Sequence, residues 1–219
     1  MPDHFSASRG QGWRNCGAGD SGRRPSSLSR IKENGAKPLK KICIPLANGF
    51  EEIEAVTLID VLRRAGFSVT TCSLGSVQVR GAHSVIMTAD LTIDDALRDT
   101  WDMVVLPGGM PGATNLRDDS RIGKLLDQAI SANGYIGAIC AAPIALARFG
   151  FIKGKKATSF PGFADQLPGA EYCEDRVVCD GRVFTSRGPG TAMEFALAIA
   201  EQLAGAAKAD ELRKQMLVK

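Results

Sequence analysis

Cys140 stands where an uncharged apolar run meets a stretch of helical pattern, with Ala138 two residues before it and Ala142 two after. A tight strand-to-helix bend requires small neighbours. Such a bend lifts its central side chain off the top of a sheet, where the N–H groups opening the next helix favour a thiolate. The chemistry this allows is nucleophilic or redox chemistry at sulfur. The competing reading is an inert packing thiol, as free cysteines commonly are. Glu54 is the second informative residue, because on a helix it shares a stripe with Leu58, Val61 and Ala65. Desolvation there raises a carboxyl pKa and favours the neutral acid, which can hydrogen-bond a thiolate without burying a second negative charge. Cys140 and Glu54 would then titrate as a coupled pair. Alternatively, Glu54 lies in the first helical turn, where an acid complements the helix dipole and reaches water.

Two glycine-bearing turns could complete a site. Pro107-Gly108-Gly109 follows the apolar run Met103-Val104-Val105-Leu106, and in open α/β sheets the carboxyl ends of strands are where ligands bind. With the N–H of Ala141, that of Gly109 could stabilise a developing oxyanion. Gly188-Pro189-Gly190 reads as a turn, with Arg187 beside it as a candidate anion contact. Both segments are also consistent with plain turns. The chain has only two histidines, His4 and His83, so a Cys–His pair has few candidates. Metal sites of the His/Cys type lack usable spacing, neither a Walker A nor a dinucleotide GxGxxG motif is present, and no cofactor or metal is expected.

The elements that must position these residues follow from periodicity. Ile42–Ala47 reads as a strand, and 51–65 as a helix stopped by Gly66. Ser68–Ser73 is a second strand, while Val77–Val79 and Val85–Met87 form a side ribbon around Gly81. Met103–Leu106 is continuously apolar, as expected of a parallel strand covered on both faces. A helix over 122–133, a strand over Tyr135–Ile139 and a helix over 142–149 complete a βαβ alternation, and hence a doubly wound, mostly parallel sheet. Asp180-Gly181 between Val177-Val178-Cys179 and Arg182-Val183-Phe184 predicts a hairpin with positive φ at both turn positions. Thr191 and Glu194 fit a capping box opening a helix to about Leu203, and 206–217 could add another.

Length and charge bound the rest. A chain of 219 residues with 44% hydrophobic residues predicts one domain with a sizeable core, or one with an appendage. The net charge of +3 is unevenly spread: residues 1–41 carry nine Lys/Arg against three Asp/Glu, which leaves −3 for residues 42–219. With six Gly, six Ser and three Pro, that segment reads as a flexible basic tail over 1–40, leaving a domain over 41–219. Sequence-specific nucleic-acid binding is therefore not expected. Six cysteines without a CxxC pair read as reduced cytosolic thiols, those other than Cys140 as packing or surface thiols. The expected location is cytoplasmic; the Ser/Arg-rich tail leaves organellar targeting open, and the uncharged 14 residues Gly134–Ala147 are too short for a membrane span.

Four segments, Gly49-Phe50-Glu51-Glu52-Ile53-Glu54-Ala55-Val56, Leu106-Pro107-Gly108-Gly109, Ala138-Ile139-Cys140-Ala141-Ala142-Pro143 and Thr185-Ser186-Arg187-Gly188-Pro189-Gly190-Thr191, together resemble the ThiJ/PfpI family, and within it the deglycase and YajL-like branch. The resemblance runs from about Lys40 to the C-terminus. It implies a flavodoxin-like α/β sandwich of the class I glutamine amidotransferase type, usually a homodimer. By the same resemblance Cys140 is the reactive thiol, Glu54 its protonated partner, Gly109 and Ala141 backbone donors, and Gly108, Ser186 and Arg187 neighbours of the pocket. Several members carry His where this chain has Phe160 in Thr158-Ser159-Phe160-Pro161. That removes a candidate proton shuttle, places Phe160 at the pocket and leaves acid–base work to Glu54. It also weakens an amidotransferase or peptidase reading, each of which needs a Cys–His pair. The implied activities are glutathione-independent glyoxalase or deglycase turnover of small dicarbonyl or glycated substrates, or redox sensing and chaperoning through oxidation of Cys140.

Overall fold

The computed structural model describes residues 39–218. The tail predicted over 1–40, with His4 and Cys16, lies outside the described residues apart from its last two positions. Strand β1 (Lys41–Leu46) and helix α1 (Glu52–Arg64) lead to β2 (Ser68–Ser73), the ribbon β3 (Gln78–Arg80) and β4 (Ile86–Thr88), then β5 (Leu91–Thr92) and the one-turn α2 (Ile93–Ala96). β6 (Met103–Leu106) is followed by α3 (Gly112–Asp118) and α4 (Ser120–Ser131), and β7 (Tyr135–Ile139) by α5 (Pro143–Arg148). The short strands β8 (Lys156–Ala157) and β9 (Glu171–Tyr172) precede the hairpin β10 (Val177–Asp180) and β11 (Val183–Ser186), and α6 (Ala192–Ala204) and α7 (Ala206–Gln215) follow.

Seven strands form one sheet in the order β10-β11-β7-β6-β1-β2-β5. Every pairing in it is parallel except β10 with β11. Side chains alternate across the sheet, so each central strand feeds two cores. Ile42, Ile44 and Leu46 of β1, with Met103 and Val105 of β6, pack with Leu58, Leu62, Phe195 and Ile199 of α1 and α6. Cys43, Val104, Leu106, Ile136 and Ala138 face the opposite layer, with Ile122, Leu126 and Leu146 of α4 and α5. The result is the flavodoxin-like, doubly wound sandwich expected. Among the described residues, no helix is long and apolar enough to cross a membrane.

Two local expectations need correction. In the hairpin, Asp180 pairs with Val183, so the loop is Gly181-Arg182, and of Asp180 and Gly181 only Gly181, at 63°, has positive φ. Asp180 stays in the strand because its carboxylate accepts the Lys156 N–H at 2.9 Å. The capping box is also absent: Thr191 precedes α6 without a side-chain cap. Its hydroxyl oxygen accepts the N–H groups of Arg187 and Gly188, while Glu194 is held by the Arg176 guanidinium at 2.7–3.0 Å. Tertiary partners thus outcompete the local cap.

Candidate active site

Three connections from strand ends converge on one point. Cys140 follows β7 directly, with φ of 64°, a left-handed conformation that a β-carbon makes costly. It is held there from both sides. Its N–H donates to the Ser186 carbonyl at 3.0 Å, and its carbonyl accepts the Phe160 N–H at 2.8 Å. The side chain is only partly buried and touches both cores.

Glu54 arrives from α1 and is completely buried, in line with Leu58 and Val61, which are likewise inaccessible. One carboxyl oxygen, Oε2, accepts the Gly108 N–H at 2.7 Å. Reciprocally, the Glu51 N–H donates to the Gly108 carbonyl at 2.9 Å, so the start of α1 and the loop after β6 are clasped together. The other oxygen, Oε1, closes no hydrogen bond of ordinary geometry. The carboxyl group as a whole raises the Cys140 thiol.

Glycine is required where this loop passes the site. A β-carbon on Gly108 would lie 2.6 Å from Cβ of Cys140 and 2.8 Å from Oε2 of Glu54. Gly109, with φ of 90°, would place one 2.3 Å from the Glu51 nitrogen. The close approach brings backbone towards the sulfur, and the N–H groups of Gly109 and Ala141 draw the thiol down and favour the thiolate.

The electrostatics are those of two acids competing for one proton. Burial raises the Glu54 carboxyl to about 7, against the pull of the Gly108 N–H and the thiol. Burial first, and then the charge of Glu54, push the thiol up to about 12. Between those limits the pair holds a single proton. When that proton sits on the carboxyl, the opposing charge vanishes, the acid donates to sulfur, and the two backbone N–H groups act on a thiolate.

The remaining predicted residues are placed less directly. Ser186 contributes its backbone carbonyl, while its hydroxyl donates to the Arg176 carbonyl at 2.7 Å. The Arg187 guanidinium donates to the Glu174 carbonyl at 2.8 Å. Phe160 is joined to Cys140 through its backbone and as a residue is 44% exposed. Of the other described cysteines, Cys43 and Cys72 are buried and Cys179 is exposed. Cys140 lines neither of two surface cavities, of about 640 and 520 Å³, which share Asn48 and Gln78.

Sequence spacing missed one cluster. Glu51, Glu52 and His83 bring ligand-type atoms within 4.8 Å of one another, although His83 is far away in the chain. Glu52 accepts the N–H groups of His83 and Val85 at 2.7 and 3.3 Å and lies 3.0 Å from His83 Nδ1. The cluster ties the ribbon to the first turn of α1. Only the fold reveals it, since no motif joins the residues.

Comparison with known proteins places this geometry. The DJ-1/PfpI family model matches residues 40–202. Protein dj-1beta of Drosophila melanogaster is 45% identical over 182 residues, covering 82% of this chain and 97% of that one. Its crystal structure superposes with a TM-score of 0.80 at 44% identity, over 83% of this chain and all of the other. Glutathione-independent glyoxalase DJR-1.2 of Caenorhabditis elegans is 38% identical over 168 residues, 76% of this chain and 89% of that protein. Protein DJ-1 homolog B of Arabidopsis thaliana is 42% identical over 180 residues, 81% of this chain, which spans only 41% of that longer protein. With three quarters of its length matched by one family model and a relative covered nearly end to end, the chain belongs to the DJ-1/PfpI family.

Proposed function

We propose that this protein is a cysteine-dependent, glutathione-independent glyoxalase or deglycase acting on 2-oxoaldehydes or their early glycation adducts. The observation that carries the reading is the completely buried Glu54 carboxyl, bound by the Gly108 N–H, set beside a partly exposed Cys140 on a positive-φ backbone. A relative bearing the name glutathione-independent glyoxalase supports it. With methylglyoxal, the Cys140 thiolate attacks the aldehyde carbon, forming a C–S bond, and the carbonyl oxygen takes the proton of Glu54. The carboxylate so formed removes the hydrogen from that carbon and returns it to the adjacent one, while the new hydroxyl's proton passes to the former ketone oxygen, converting the thiohemiacetal to a thioester of the 2-hydroxy acid. Water then cleaves the C–S bond, so that one aldehyde and one water give one lactate and the thiol is restored. No oxidant is consumed.

The same donors around sulfur also support a redox reading, in which two peroxides convert the thiol to a sulfinic acid with release of two waters. One experiment separates the two. Lactate formation is measured without glutathione for wild type, Cys140→Ala and Glu54→Gln, with folding matched by circular dichroism. The enzyme reading expects many turnovers in wild type, none in Cys140→Ala and a loss of about 10²-fold or more in Glu54→Gln. Absence of wild-type turnover together with selective addition of two oxygens to Cys140 would replace it with the redox reading. We place the homodimer implied by the family on the exposed apolar residues Ile53 and Val56 of α1 and Val85 and Ile86 at the ribbon. Sedimentation of the same preparation reads its mass; a value no greater than the 23.2 kDa of one chain would reject that assignment.

A further inference from the structure

Phe160 is a large aromatic residue left 44% exposed on a segment with little freedom to move. Its N–H donates to the Cys140 carbonyl at 2.8 Å, and its own carbonyl accepts the Phe163 N–H at 3.2 Å and the Ser159 hydroxyl at 3.2 Å. The ring lies against Gly188: a β-carbon there would come within 3.2 Å of Cδ2 and 3.6 Å of Cε2. Gly188 has φ of 163°, extended backbone open to any residue, so what glycine supplies at that position is room for the ring. Gly188 in turn lies two residues past Ser186, whose carbonyl fixes the Cys140 N–H at 3.0 Å. The Phe160 backbone is therefore tied to the residue that carries the nucleophile, and its ring rests against the segment that follows Ser186. Met110, 50% exposed, directly follows Gly109, whose N–H draws the thiol down. Charge plays little part on this side, since the Arg187 guanidinium is engaged by the Glu174 carbonyl and, at 3.7 Å, its carboxylate.

We propose that Phe160 is a specificity-determining residue that selects 2-oxoaldehydes carrying an aryl or comparably bulky apolar substituent over methylglyoxal. The inference rests on the glyoxalase reading above and names its substrate class. An aromatic ring held in place before substrate arrives binds a second ring through area burial and offset or edge-on stacking, without the cost of ordering a flexible side chain. A methyl group offers too little surface to use it. Reaction at the aldehyde carbon is unchanged: phenylglyoxal and one water give one mandelate, as methylglyoxal gives lactate.

The test is the ratio of kcat/KM for phenylglyoxal, read as mandelate, to that for methylglyoxal, read as lactate, in wild type, Phe160→Ala and Phe160→Leu. Wild type is expected to favour phenylglyoxal. Phe160→Ala should lower the ratio by about tenfold or more, mainly through KM for phenylglyoxal, and Phe160→Leu should fall between the two. Turnover of both aldehydes with a ratio that Phe160→Ala leaves unchanged, or a wild-type preference for methylglyoxal, overturns the specificity role alone. No turnover of either aldehyde by wild type overturns the glyoxalase reading, and this inference with it.

Discussion

Cys43 and Cys140 belong to neighbouring regions of one sheet, yet the fold treats them in opposite ways. Cys43 sits in mid-β1, fully buried, with its sulfur 3.5 Å from that of Cys72. Burial raises its thiol well above the ordinary value, with the Cys72 thiol adding to the effect. Cys140 is also raised by burial, but it sits one residue beyond the end of β7, where the backbone turns to positive φ and two N–H groups draw the thiol down. A strand interior spends its N–H groups on the ladder, whereas a strand end leaves them free for a side chain. Position along the strand thus separates a buried packing thiol from a partly exposed one at a turn.

The sharpest way to break this comparison is site-resolved alkylation. Iodoacetamide should label Cys140 in the native state, while Cys43 and Cys72 react only when the domain opens, slower by about 10⁴-fold if their opening approaches global unfolding. The Cys140 rate should climb as pH rises towards about 7, the point to which burial raises Glu54, and then flatten. Below that point the pair holds two protons and no thiolate; above it, one proton is shared and a fixed fraction is thiolate. Glu54→Gln should remove the plateau. Mass spectrometry of quenched samples decides the matter, and equal labelling of Cys43 and Cys140 in folded protein would refute the distinction.

Stability should carry the same signature. Folding raises the Glu54 pKa from 4.5 to about 7, so the native state binds a proton that the unfolded state has released. Stability from this group is complete below about pH 4.5, falls as pH rises and levels off above about 7, a loss of about 3 kcal/mol. Carboxylates such as Asp119, lowered chiefly by Arg121, run the other way and lose stability in acid. The relevant quantity is therefore the difference between wild type and Glu54→Gln in urea midpoints from pH 4 to 8. A difference that does not vary with pH would show that Glu54 is not buried as an acid.

Much of this was legible in the chain. The strands Ser68–Ser73, Met103–Leu106 and Tyr135–Ile139 are found where the sequence pattern puts them, the last two because central parallel strands must be apolar on both faces. The stripe of Glu54, Leu58 and Val61 on α1 could be read because helical spacing alone fixes which residues share a face. What periodicity could not give depended on distant partners. Helix α3 follows a segment rich in Gly and Pro that reads as a turn, and Thr191 forgoes its cap for bonds to the Ser186–Gly188 loop. The placement of the Arg187 guanidinium depends on Glu174, and the Glu51–Glu52–His83 cluster on a ribbon folding back over a helix. Local rules describe elements well; they do not say which polar group will reach another first.

A smaller effect isolates the loop that completes the site. Gly108 and Gly75 both follow the end of a strand, β6 and β2 respectively, and neither has positive φ. A β-carbon on Gly75 would meet nothing within 4 Å, whereas on Gly108 it would crowd Cys140, Glu54 and the Ile139 carbonyl, the last at 2.8 Å. Gly108→Ala must therefore move the thiol, the carboxyl or β7 itself, and displacement of reacting groups by about 1 Å costs on the order of 10²-fold in rate. Expected is a fall of that size in kcat/KM for Gly108→Ala, with Gly75→Ala unchanged and both variants folded by circular dichroism. Full activity in folded Gly108→Ala would mean that the clasp between α1 and the β6 loop does not set the spacing of Cys140 and Glu54. The strained backbone of Cys140 would then be the sole device that does.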